Sequence, residues 1–190
     1  MRLKDQEKRE AIKQATLALV AEQGVAGLKM ASLARRTGLS PSTLYVYFED
    51  KEDLIVSLFR EVTRQIVHLV LGEYDPSLPY KASFKKVILK YLKCRIDIYQ
   101  EHLFLEQVKT SPYYQKIIAE VKGDELEGAM VLLEAGKEQM LFKDLPAPLL
   151  FAALDGMIEK MSNLFICGEL ENNQTNLDHC FDLIWDSLQA

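Results

Sequence analysis

The chain has 190 residues, 48% of them hydrophobic, enough to bury a substantial core in one compact unit or two small ones. Its formal charge is −5, and the three scattered cysteines, Cys94, Cys167 and Cys180, fit reduced thiols in a cytoplasm. The opening Met1-Arg2-Leu3-Lys4-Asp5-Gln6-Glu7 is too charged for a signal peptide, and the longest apolar stretch, Leu145 to Cys167, is broken by Asp155, Glu159 and Lys160, which excludes a membrane span. The charge is unevenly divided: residues 1–51 hold nine Lys/Arg and six Asp/Glu (+3), while residues 52–190 hold fourteen and twenty-two (−8). A basic first quarter on an acidic body is the asymmetry expected where only one end meets phosphates.

In chain order, Ile12, Ala15, Thr16, Leu19, Val20 and Gln23 recur at helical spacing and predict a first helix over 7–23, with Gly24 as its stop. Helix 2 is expected over about 30–37, helix 3 over 41–48 and helix 4 over 51–71. Glu73-Tyr74-Asp75-Pro76-Ser77-Leu78-Pro79 then breaks the pattern with two prolines. Helix 5 spans about 80–100 and helix 6 about 102–109. Ser111-Pro112 starts helix 7, which runs toward Gly136 and is weakened in its middle by Gly123 and Gly128. Pro146-Ala147-Pro148 opens helix 8, ending near Gly168, and a polar loop at 171–174 leads to helix 9 over 175–188. No period-2 strand and no low-complexity tract occurs, so the fold class is all-α with about nine helices.

The run Leu33 to Phe48 carries the most specific signal. Gly38 suits a helix end in the left-handed conformation, Ser40 supplies a side-chain oxygen to the free N–H groups of the next helix, and Pro41 fits its first turn. That is a helix-turn-helix, whose second helix enters the DNA major groove. At about 100° per residue, Leu44 and Phe48 face inward on the second helix, Ser42 and Val46 point the opposite way, and Thr43 and Tyr45 flank them. The outward face is small and uncharged, which suits base-edge hydrogen bonds and a contact with a thymine methyl.

Leu33-Ala34, Gly38-Leu39-Ser40, Thr43-Leu44-Tyr45, Phe48 and Lys51-Glu52-Asp53-Leu54 resemble the DNA-binding segment of the TetR family of bacterial transcriptional regulators. The motif covers about residues 9–54, and the order of helices is similar over nearly the full length. The resemblance implies a major-groove surface of Ser42, Thr43, Val46 and Tyr47 beside the turn residues Ser40 and Pro41. It implies phosphate contacts from Tyr45, Tyr47 and Lys51, which set register without carrying sequence information. Two positions depart from the pattern. Lys29 stands where the family usually has a capping Thr, leaving a phosphate contact easy, and Ala31 replaces a base-contacting arginine of some relatives. Arg35 and Arg36 are further candidates for the DNA backbone.

Enzymatic readings find little support. Gly123-Asp124-Glu125-Leu126-Glu127-Gly128 has the glycine spacing of a phosphate loop but continues Ala129-Met130 and carries three acids. No nucleophile elbow, paired-cysteine or zinc-binding motif is present, and none of His68, His102 and His179 has a Glu three residues before it. No enzyme activity, metal or cofactor is expected.

By the same resemblance, helices 4–7 enclose a small-molecule site. Phe84, Ile88, Tyr91, Cys94, Arg95, Ile98, His102, Phe104 and Met130 are its candidates, an apolar stripe with a few polar tips. Helices 8 and 9 pair with their copies in a second subunit. Leu150, Leu154, Met157, Ile158, Met161 and Phe165 on the former, and Phe181, Ile184, Trp185 and Leu188 on the latter, make more apolar surface than one face needs. The whole reading is a helix-turn-helix DNA-binding domain over 1–50 and a larger ligand-binding and dimerisation domain over 51–190. Its function would be that of a cytoplasmic, homodimeric, ligand-responsive regulator, usually a repressor, binding a palindromic operator in double-stranded DNA. The alternative is a helical small-molecule-binding protein or enzyme that keeps this fold without DNA readout.

Overall fold

The computed structural model describes residues 2–120 and 126–190, and it is helical throughout. Ten helices follow in order: α1 (Arg2–Gly27), α2 (Met30–Thr37), α3 (Pro41–Tyr47), α4 (Lys51–Leu71), α5 (Tyr80–Asp97), α6 (Tyr99–Lys109), α7 (Tyr113–Glu120), α8 (Glu127–Glu138), α9 (Ala147–Ile166) and α10 (Gln174–Leu188). Among the described residues there is no strand, only a single antiparallel bridge between Phe142 and Gln189. The weakness expected at Gly123, and the first half of the Gly123–Gly128 motif, lie outside the described residues.

Several boundaries differ from expectation, and the expected helix 7 is described as two helices, α7 and α8. Helix α1 begins five residues earlier than its apolar pattern, because polar residues extend a helix without needing a core face. Gly24, at φ 73° and ψ 164°, interrupts it where a stop was expected, and one further turn follows. The predicted helix 5 ends instead at Asp97: Ile98, at φ −116° and ψ 52°, separates α5 from α6.

The chain forms two compact units, one built from residues up to Thr63 together with the segment starting at Gln100, the other from Arg64–Tyr99 and the C-terminal helices. The division therefore does not fall at residue 50. The first half of α4 belongs with the N-terminal helices, because Leu54, Ile55, Leu58 and Val62 are buried there and the Phe59 ring meets Tyr114 of α7 edge-on at 6.0 Å. The core of this first unit is Ile12, Leu17, Val20, Leu33, Leu44 and Ile55, each at most 1% exposed. Gln107 of α6 secures the break in α1: its Oε1 accepts the Val25 N–H at 3.1 Å and its Nε2 donates to the Val20 carbonyl at 3.4 Å.

In the second unit α5 packs chiefly against α9, with α8 and α10 completing the bundle. Its centre is aromatic. Phe84 stacks on Tyr80 at 5.7 Å and meets Phe142 at 5.1 Å, and Trp185 meets Phe142 at 5.4 Å. Gly136 leaves room for this group; a Cβ there would lie 2.4 Å from the Phe142 ring and 2.7 Å from the Tyr80 hydroxyl.

Candidate nucleic-acid interface

Local backbone rules build the α2–α3 corner. Lys29 precedes α2 with extended backbone and no side-chain cap; its carbonyl starts the helix by accepting the N–H groups of Ser32 and Leu33. Gly38 ends α2 at φ 68°, ψ 13°, and an added Cβ would meet nothing within 4 Å, so backbone conformation rather than space favours glycine. Ser40 then caps α3, its Oγ accepting the Thr43 N–H at 3.1 Å, and Pro41 occupies the first turn. The same Oγ lies 2.8 Å from both the Ser42 and Thr43 hydroxyls, so three hydroxyls form one exposed network at the start of α3.

Leu44 pins α3 to the core at 0% exposure, and the opposite face is left bare: Val46 is 80% and Tyr45 54% exposed. Ser42 is exposed beside them, while Thr43, Tyr47 and Phe48 are half-buried. Two of the expected DNA-contacting side chains are also held within the chain. The Tyr47 hydroxyl donates to Asp5 Oδ1 at 2.6 Å, and the Arg9 guanidinium lies 5.3 Å from the centre of its ring. The Asp5 hydrogen bond is the main reason that the Tyr47 phenol titrates above its ordinary range. Lys51 donates to the Ala26 carbonyl at 3.2 Å and sits 5.7 Å over the Tyr113 ring. Arg36 is engaged as well, forming two 2.6 Å bonds to the Glu22 carboxylate, which they hold below the usual carboxylate range. Arg35 bonds Ser32 at 3.3 Å.

The residues expected to line an effector site are split. Phe84, Ile88, Tyr91, Cys94, Arg95, Ile98 and Met130 belong to the second unit, His102 and Phe104 to the first. Phe84 belongs to the aromatic core already described, and Ile88, Cys94, His102 and Phe104 are all buried. Ile98 forms the break after α5, and Met130 is half-buried on α8. The polar tips do converge. The Tyr91 hydroxyl donates to Asp155 Oδ1 at 2.5 Å, and Arg95 Nη1 lies 3.9 Å from the same oxygen. Arg95, only 5% exposed, also bonds Ser162 Oγ through Nε at 3.3 Å. Burial, and then the Asp155 charge, push the Tyr91 phenol well above its normal range. Asp155 and Ser162 were not among the expected residues, since an acid and a serine on an apolar helix give no local sign that a neighbouring helix supplies their partners.

The expected subunit interface needs a correction. Leu150, Leu154, Ile158, Phe165, Phe181, Ile184, Trp185 and Leu188 are each at most 8% exposed in the single chain, so they form the core of the second unit rather than its surface. Met157 and Met161 are half-buried. The apolar residues that do face outward are Leu149 (55%), Leu164 (39%) and Leu183 (60%), together with Ala152 and Ala153.

Residues 12–58 match the profile described as bacterial regulatory proteins, tetR family, which spans α2, the turn and α3. This segment is a DNA-binding domain of the TetR type. A TetR family transcription regulator from Marinobacter aquaeolei VT8 has the same fold, with a TM-score of 0.88 and 26% identity, over 100% of this chain and 99% of that one. The fatty acid metabolism regulator protein of Bacillus subtilis (strain 168) is 29% identical over 77 residues, 40% of each chain. The HTH-type transcriptional regulator BetI of Cronobacter sakazakii is 30% identical over 95 residues, 50% of this chain and 46% of that one. The matches thus span less than half the length of these two relatives. No helix among the described residues is long and apolar enough to cross a membrane.

Proposed function

We propose that this chain is a cytoplasmic, ligand-responsive transcriptional repressor of the TetR family that binds a palindromic operator in double-stranded DNA as a homodimer. The observation carrying the DNA-binding part is the bare face of α3. A helix of seven residues keeps Val46 and Tyr45 in solvent, against the usual preference for burying such side chains, while Leu44 and the Ser40 cap hold its orientation. Exposed apolar and hydroxyl groups on a positioned helix suit base edges and thymine methyls. Lys29, exposed at the start of α2, and Lys51 would add phosphate contacts.

Regulation would work through the second unit. A small, largely apolar effector would favour one of two conformations, and it can shift the balance only by its differential affinity for them. The Tyr91–Asp155–Arg95–Ser162 group joining α5 to α9 is the polar feature there that an effector's head group would engage or rearrange.

The test is selection of duplexes from a randomised library, followed by binding measurements on the selected and on an unrelated sequence. We expect enrichment of a palindrome with half-sites about one helical turn apart or somewhat more. Ser42→Ala and Val46→Ala should each change base preference by about 1–3 kcal/mol. Equal losses on every sequence would show that α3 is not the reader, and no enrichment by the wild type would remove the DNA-binding reading.

A further inference from the structure

Helix α3 carries no charged side chain, yet DNA affinity comes largely from cations placed against phosphates. The structure supplies one beside it from a distant part of the chain. The first turns of α1 lie against the end of α3, where the Tyr47 ring carries the Arg9 guanidinium at 5.3 Å and the Tyr47 hydroxyl is bonded to Asp5 at 2.6 Å. Asp5 and Arg9 are four residues apart and so share one face of α1. Arg9 is exposed and Tyr47 half-buried, so the ring is a fixed platform and the guanidinium faces water.

We propose that Arg9 is a phosphate-contacting residue of the DNA interface, held by Tyr47 as a positioning residue, and that Asp5 tunes it. Stacking on an aromatic face limits the arginine's motion without neutralising its charge or occupying its N–H donors. The Asp5 carboxylate fixes the Tyr47 hydroxyl and also places a negative charge near the phosphate path. It therefore trades affinity for orientation. The inference rests on the DNA-binding reading above and extends the interface from α3 to α1.

The experiment measures affinity of the full chain, as a function of salt, for the selected duplex and for an unrelated one. Each phosphate contact contributes about 0.9 to the salt slope, so a dimer lacking both arginines should lose almost two units. Between about 50 and 200 mM salt, the affinity of Arg9→Gln should therefore fall about tenfold less than that of the wild type. Both duplexes should respond equally, and Arg9→Lys should restore the slope. Asp5→Asn keeps an acceptor for the Tyr47 hydroxyl and removes the charge, so it should bind both duplexes a few-fold more tightly. In the background of Tyr47→Leu, Arg9→Gln should have a smaller effect than in the wild type. Weaker binding by Arg9→Gln with an unchanged slope would make the cluster a structural clasp and overturn the proposal. Weaker binding by Asp5→Asn would overturn the tuning role. If the wild type binds neither duplex, the DNA-binding reading itself has failed, which is a separate result.

Discussion

Ser40 has two duties: its Oγ caps α3 through the Thr43 N–H and gathers the Ser42 and Thr43 hydroxyls around it. Ser40→Ala should cost about 1 kcal/mol of stability, the usual value of an N-cap, and should also free the two hydroxyls nearest the expected base edges. Urea unfolding measures the first effect, and loss of selectivity on the chosen duplex measures the second. Met140 shows the converse. It is the one non-glycine residue at positive φ among those described (55°), at the end of α8, and its side chain is 84% exposed. Met140→Gly relieves a left-handed conformation without removing a buried contact, so it should raise stability by about 1 kcal/mol in the same unfolding experiment. The difference between these two sites explains what was legible. Gly24 and Gly38 announce their positive φ through the residue type. Met140 does not, because its conformation is imposed by the turn that brings the Leu141 and Phe142 N–H groups back to the Gly136 carbonyl.

Gly136 illustrates how a helix is limited by what packs on it. In an exposed helix, Gly→Ala gains close to 1 kcal/mol from helix propensity. Here the new Cβ would lie 2.4 Å from the Phe142 ring and 2.7 Å from the Tyr80 hydroxyl, which itself donates to the Leu132 carbonyl at 2.7 Å. Overpacking of this kind costs about 1–3 kcal/mol, so Gly136→Ala should be net destabilising by thermal melting. A gain in melting temperature would show that the aromatic group yields easily. Most helices followed from hydrophobic spacing and caps: α2 and α4 match their expected limits, and α3 ends one residue early. The break between α5 and α6 was legible only to within a few residues, since neither glycine nor proline marks Ile98 and the apolar pattern continues into α6. The clasp of α1 on Tyr47 was invisible for a related reason. Asp5 and Arg9 look like an ordinary solvated pair until the fold brings a residue forty-two positions away from Asp5 against them.

For the whole molecule, the proposed homodimer turns on which apolar surface a second copy would cover. Helical spacing correctly shows that α9 and α10 are apolar around more than one face, but it cannot say which face each neighbour covers. The inner face packs against the rest of the second unit, and Ile184 is 0% exposed; Leu183, the preceding residue, is 60% exposed. On α9 the outward set Leu149, Ala153, Gly156 and Leu164 follows helical spacing, and a Cβ on Gly156 would meet nothing within 4 Å. Small residues flanked by leucines suit close approach of the same helix from a two-fold related copy. Adjacent substitutions on α10 therefore separate assembly from folding. Ile184→Asp desolvates an unpaired carboxylate in the core and should cost several kcal/mol, so the chain should unfold or melt far lower. Leu183→Asp should leave the stability of the single chain within about 0.5 kcal/mol, yet sediment as a monomer at micromolar concentration and lose affinity for the palindrome. Its binding to an isolated half-site should persist, because α3 is untouched. A Leu183→Asp chain that remains a dimer would move the interface off this face of α10.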